Sequence, residues 1–302
     1  MVVSREIRLN EFLIAGTDDD VSNMYHELPE RARELQFGLV EDEVVVLDTE
    51  TTGLNPSSCS LLEIAAIRMR GGKTIDSFQT FVDPGRAIPA EITELTGITQ
   101  ADIAGAPTPR EAVEALAKFA GDCNLIAHNA SFDQGFIMRQ ANPGELPGQW
   151  IDTLSLSQIV LPRLKSHRLL DLAAAFGLST PTHRAMDDTV ALGALWRILL
   201  AGIQAMTPGL AARIAELSPQ TDWPLRPYFA QVALEHPGVD FSLRRNRTER
   251  AQGTSLPPRP DADDIPLSFC DESRIDEAFS PTGALGSMYP DYEERQEQLG
   301  MA

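Results

Sequence analysis

Three short segments hold residues whose types and spacing could do chemistry. In Asp48-Thr49-Glu50-Thr51-Thr52-Gly53, two carboxylates stand two residues apart. Residues so spaced on a strand share one face, so Asp48 and Glu50 can converge on one cation while Thr49 points away. Hard divalent cations such as magnesium take oxygen ligands, commonly one or two carboxylates plus a substrate phosphate. By itself, however, the pair also matches two solvated acids at a strand end. In His128-Asn129-Ala130-Ser131-Phe132-Asp133, the aspartate falls in the first turn of a helical pattern, where the helix dipole favours its ionised form. Alone it reads equally as an ordinary helix-start acid. The third segment, His183-Arg184-Ala185-Met186-Asp187-Asp188-Thr189, opens a long helical pattern. Five residues turn about 140° round an α-helix, so His183 and Asp188 cannot share a helical face. His183 must therefore sit on the preceding loop or first turn. From there it can lean over a site that Asp188 enters from the helix, placing an imidazole beside a metal-bound water. Asp187 is the nearest decoy.

The surrounding elements are legible from period and punctuation. From Glu43 the β-branched run EVVVLDTE has strand length and suits burial on both sheet faces. SLLEIAAIRMR and KTIDSFQTFVDP follow, joined through Gly71-Gly72, and read as an antiparallel hairpin completing a three-stranded meander. Thr108-Pro109-Arg110-Glu111 supplies a cap, a first-position proline and a capping-box glutamate for the helix EAVEALAKFAG. NLIAHN reads as a strand returning to the sheet, and SFDQGFIMRQ as the next helix, with Ser131 as its cap. Further helices are expected over 152–160, over 168–176 with Gly177 as the stop, and over about 184–206. A strand followed by a helix implies α/β architecture. Before Glu43, the only element expected is a short helix around 29–37, beyond an acidic run at Asp18–Asp20, with no chemistry assigned.

Taken together and in this order, the three segments resemble the DnaQ-like DEDDh exonucleases, the family of polymerase proofreading subunits. The resemblance runs from about Glu43 to Leu200 and includes FVDPGRAIPAEITELTGIT, IDTLSLSQIV and SHRLLDLAAAFGL between the motifs. It implies a ribonuclease H-like mixed sheet flanked by helices, followed by an irregular C-terminal extension. It also implies that Asp48, Glu50, Asp133 and Asp188 ligate two divalent cations, magnesium or manganese, and that His183 is the general base. The implied activity is two-metal hydrolysis releasing 5′-nucleoside monophosphates from a 3′ end, with single-stranded DNA as the expected substrate and replication or repair as its setting. Thr51, Thr52, Gly53 and Leu54 would approach the terminal nucleotide, with His128, Asn129 and Phe132 lining the same cleft. The Phe132 ring could stack on a base or fill the core. Two alternatives stand beside this reading: an inactive module that binds nucleic acid or a polymerase, and an exoribonuclease. Gly71-Gly72-Lys73-Thr74 is no phosphate-binding loop, because Ile67 stands where such a loop needs its first glycine.

Bulk properties bound these expectations. The chain has 302 residues, 43% of them hydrophobic, which suits one large or two modest domains with a real core. The N-terminus lacks the apolar core of a signal peptide and no run is long enough to span a membrane, so a cytoplasmic location is expected. Cys59, Cys123 and Cys270 are far apart, which fits a reducing compartment and argues against structural zinc. The net charge of -19 is unusual for an enzyme acting on polyanions. Four of the acids are the expected ligands, however, and two divalent cations would neutralise them. Residues 1–42 are read as an N-terminal extension, 43–206 as the exonuclease domain and 207–280 as a connector. Arg244, Arg245, Arg247 and Arg250 read as a solvated patch, followed by the Pro- and acid-rich PPRPDADDIP. The last segment, 281–302, resembles the opening of DinG-type helicases and their glutamine motif, through Tyr292, Glu293, Arg295, Gln298, Leu299, Met301 and Ala302. That resemblance implies a covalently linked helicase as a partner.

Overall fold

Val44–Leu47 are buried on both sides of the strand they form, and they organise everything that follows. The protein is described by a computed structural model, over residues 7–35, 43–217 and 221–235. In it β1 (Val44–Thr51) pairs antiparallel with β2 (Leu61–Arg70), and β2 pairs antiparallel with β3 (Lys73–Phe81). The hairpin turn places Gly71 at φ +58° and Gly72 at φ +69°, the paired left-handed conformations that a two-residue turn of this twist demands. On its other edge β1 runs parallel to β4 (Asn124–Ala127), which runs parallel to β5 (Trp150–Asp152). The order β3-β2-β1-β4-β5 is the mixed, helix-flanked sheet expected of a ribonuclease H-like fold.

The period-two alternation of β1 divides the core. Val44 and Val46 face one apolar cluster, while Val45 and Leu47 face another. The second is closed by α4 (Pro109–Ala120) through Val113 and Leu116, and by α5 (Ala130–Ile137) through Phe136 and Ile137. On the first face lie α6 (Thr153–Val160), α7 (Leu169–Phe176) and the long α8 (Ala185–Gln204), with Leu192, Trp196 and Leu199 at its centre. Gly193 lets α8 approach β2, since a Cβ there would come within 2.7 Å of Ile67 Cδ1. Carried forward along β1, the same alternation puts Asp48 and Glu50 on the α8 face and Thr49 on the α5 face.

Several boundaries differ from expectation. The N-terminal helix is not a short one near 29–37. After α1 (Leu9–Phe12), α2 occupies Asp19–Glu34, with Asp18 accepting from the Asp20 N–H as cap and Pro29 inside the helix. The acidic run is thus its first turn, where carboxylates complement the helix dipole. Burial of Tyr25, Leu28 and Ala32 against the first core offsets the backbone bond that Pro29 removes. α3 (Ala90–Thr96) is an additional short helix beside β3. The cap of α5 is Asn129 rather than Ser131, and it works through a distant partner: the Asp152 carboxylate accepts from the N–H groups of Asn129 and Ala130.

Beyond 206 the chain keeps folding. α9 (Pro208–Glu216) and α10 (Arg226–Glu235) bury Ala211, Tyr228, Phe229 and Val232 in the same core as α8. The described part of the expected connector therefore belongs to the domain's packing. Trp223 stacks on Phe229 with ring centroids 5.4 Å apart, and Trp196 meets Tyr228 edge-on at 5.6 Å. Among the described residues no single helix is both long and apolar enough to cross a membrane. The arginine patch, Cys270, the Pro-rich stretch and the glutamine-motif segment lie outside the described residues.

Candidate active site

The C-terminal half of β1 delivers Asp48 and Glu50 to the sheet face covered by α8, α5 delivers Asp133, and the first turn of α8 delivers Asp188. Asp133 and Asp188 are buried, at 3% and 7% exposure, and Asp48 and Glu50 are partly buried. Burial pushes the Asp48 carboxyl well above the usual carboxylate range, reinforced by the negative charges of Asp133, Glu50, Asp188 and Glu63. Glu50 is pushed up to about 8, by burial first and then by Asp188 and Glu63. Asp133 is pushed up to about 7 by burial, although a 2.7 Å hydrogen bond from the Thr49 hydroxyl works the other way. Asp188 is raised by burial against the opposing effect of the Thr182 N–H, which donates to its Oδ1 at 2.8 Å. Four acids forced together against their own repulsion, with few cations nearby, form a hard-oxygen donor set that fits magnesium or manganese.

His183 sits on the loop before α8, as its helical offset requires. It is exposed and takes φ +59°, an uncommon backbone for a non-glycine residue. Glu50, His183 and Asp188 each bring a ligand atom within 4.8 Å of the others, close enough to hold a metal ion. Asp48 and Asp133 lie outside that trio and join the site as its charged neighbours. Asp187 points elsewhere, accepting from the Thr182 hydroxyl at 2.6 Å.

The residues expected to meet a nucleotide are arranged unevenly. Thr51 and Thr52 are buried and their hydroxyls serve the loop itself: Thr51 donates to the Gly53 carbonyl, and Thr52 accepts from the Ser60 N–H. Gly53 at φ +152° is hemmed in, because a Cβ would stand 2.8 Å from Cys59 Sγ. That tight loop lifts Leu54 out, 85% exposed, an unusual position for a large apolar side chain. His128 is committed at both ring nitrogens, Nε2 donating to the His167 carbonyl at 2.9 Å and Nδ1 meeting the Thr153 hydroxyl at 3.0 Å. Since a carbonyl only accepts, Nε2 carries a proton, and burial lowers the proton affinity of the ring. Asn129 is exposed at φ +63°. Phe132 is partly buried against Phe136, with centroids 5.1 Å apart.

Sequence reasoning passed over Thr49, Thr182 and Glu63. The signal for Glu63 was present: a lone acid inside the apolar run LLEIAAI must find partners.

Comparison with known proteins accords with this geometry. The profile of the RNase_T family, described as Exonuclease, matches residues 45–195. The chain is 38% identical over 187 residues to a PolC-type DNA polymerase III of Halalkalibacterium halodurans, covering 60% of this chain and 13% of that protein. It is 39% identical over 158 residues to the PolC-type DNA polymerase III of Bacillus subtilis, covering 51% and 11%. The chain thus spans only about an eighth of the length of these relatives. Among solved structures, Exonuclease X in complex with 5′-overhanging duplex DNA is 28% identical, with a TM-score of 0.45 over 52% of this chain and 90% of that one. E. coli Exonuclease I in complex with a dT13 oligonucleotide is 19% identical, with a TM-score of 0.48 over 57% and 43%. With its family profile spanning all the acids and the histidine of the site, the chain belongs to the exonuclease family and carries a DnaQ-like 3′–5′ exonuclease domain.

Proposed function

We propose that this domain hydrolyses DNA from the 3′ end, preferably as a single strand, and releases 5′-nucleoside monophosphates. In this reading Asp48, Glu50, Asp133 and Asp188 hold two divalent cations, magnesium or manganese, and His183 is the general base. The observation that carries it is the convergence of four acids under an exposed imidazole that is within 4.8 Å of Glu50 and Asp188. Bound cations would supply charge stabilisation for the phosphate under attack and for its leaving oxygen. The protein's own part is to hold the carboxylates ready, present Nδ1 or Nε2 of His183 to the attacking water, and accept its proton. Leu54, held out by the Gly53 loop, offers an apolar face to the terminal base, and Asn129, the N-cap of α5, and the partly exposed Phe132 in its first turn stand just before Asp133 on the same element.

DNA as the substrate is supported by the DNA polymerases among the relatives, each of which matches this chain over a small part of its own length. A replicative setting is supported by the same relatives, and repair is proposed beside it. The test is digestion of matched DNA and RNA oligonucleotides labelled at either end, with magnesium. Mononucleotides should appear first from the 3′-labelled DNA. Equal or faster loss of RNA would assign an exoribonuclease instead. The resemblance of 281–302 to the DinG glutamine motif adds the proposal of a linked helicase, which sequencing of the native gene past codon 302 would test.

A further inference from the structure

Glu63 is wholly buried near the start of β2, directly opposite Glu50 in the β1–β2 register. It is a fifth acid beside the cluster, yet its surroundings are of another kind. Four donors converge on its two oxygens. Gln79 Nε2 at 2.7 Å and Arg184 Nη2 at 3.2 Å reach Oε1, while Arg184 Nε and the Ala185 backbone N–H, each at 3.2 Å, reach Oε2. A carboxylate offers about four lone-pair positions, so Glu63 has none left for a cation, whereas Glu50 does. The guanidinium engages in the two-pronged manner that fixes direction as well as distance. The Phe81 ring, 5.4 Å from Arg184 Cζ, backs it from another side.

Arg184 is the residue next to His183 and the N-cap position of α8. On the other side of His183, Thr182 is tied by its N–H to Asp188 and by its hydroxyl to Asp187. The histidine therefore spans two anchored residues, and its left-handed backbone is held between them. We propose that Glu63, acting through Arg184, is the positioning residue of His183: the ion pair sets the backbone from which the imidazole reaches over Glu50 and Asp188. The proposal rests on the reading of His183 as general base. A reacting group held loosely loses the advantage of orientation, and supporting partners of this sort are typically worth roughly 10- to 100-fold in activity.

The test is a double-mutant cycle on the full chain with magnesium and a single-stranded DNA substrate, comparing Arg184→Ala, His183→Ala and the double variant. Glu63→Gln keeps the side-chain volume and one acceptor, and it replaces Arg184→Ala in the cycle if that variant fails to fold. The expected result is a kcat lowered roughly 10- to 100-fold by Arg184→Ala, with KM and manganese binding unchanged, and no further loss when His183 is already alanine. Three results would overturn the proposal. Losses that multiply would show Arg184 acting apart from His183. A raised KM would make it a substrate contact, given its 39% exposed side chain. Weakened manganese binding would make the pair a support of the carboxylates. Normal turnover in His183→Ala alone would instead overturn the general-base reading, and is told apart because it needs only the single variant.

Discussion

A carboxylate resists burial, and the chemistry of this site begins in having several resist it together. Glu50, whose folded titration point is about 8, lies far above the about 4.3 of a free glutamate. Between those values the native protein holds a proton that the unfolded chain releases, so metal-free stability falls as pH rises through that window and the whole cost is present above about 8. Glu50→Gln removes this dependence. In EDTA the variant should melt higher than the parent at pH 8, by a margin that shrinks towards pH 5, and added magnesium or manganese should stabilise the parent and leave the variant little changed. Equal margins at both pH values would mean that Glu50 is not electrostatically strained. For His183→Ala we expect kcat to fall by about 10²- to 10⁴-fold while substrate affinity persists, which single-turnover kinetics with a labelled strand would measure. Loss confined to affinity would make it a binding residue. Asp48, Glu50, Asp133, His183 and Asp188 were singled out as a set by the family resemblance, while strand period and helix offset indicated only that Asp48 and Glu50 share a face and that His183 stands off the helix carrying Asp188. Glu63 and Thr49 act through partners 121 and 84 residues away, and no local spacing reports such a pairing.

Elements were read most surely where local chemistry closes on itself. The capping box of Thr108 and Glu111 forms as spelled, and the Gly71-Gly72 hairpin takes the turn its dipeptide specifies. Elements were misread where distant contacts decide. The α5 cap depends on Asp152, at the end of the edge strand β5, and α2 tolerates Pro29 because its apolar residues are buried against other elements. β5 is three residues long, too short to show a period, and is defined by its ladder to β4. α10 has its aromatic residues spread without a clean stripe, and its place is set by Trp223, Trp196 and the α8 core. This yields a prediction at the same scale. Phe229 is fully buried, so Phe229→Ala should destabilise the whole exonuclease domain by about 3–5 kcal/mol, measured by urea unfolding. A loss under about 1 kcal/mol would mean that α10 is an appendage, as the sequence alone suggested.

At the scale of the molecule, the acidity that looked unsuited to a nucleic-acid enzyme is partly located in the site. Five carboxylates gather at the C-terminal end of β1, and one of them, Glu63, is paired with Arg184; in the proposed function the other four take cations, which would turn an apparent repulsion of phosphate into a conditional attraction. The sheet, the α8 face and the loop holding His183 serve to keep those groups together in the absence of metal. The central claim is therefore coupling between the carboxylates, a divalent cation and removal of 3′ nucleotides. The most direct measurement follows a 3′-labelled single-stranded DNA with the parent protein and with Asp188→Ala, each with magnesium and with EDTA, after circular dichroism has shown both to be folded. The parent should release labelled mononucleotide in magnesium alone, and Asp188→Ala almost none in either condition. Undiminished release in EDTA, or by the folded variant in magnesium, would contradict that claim.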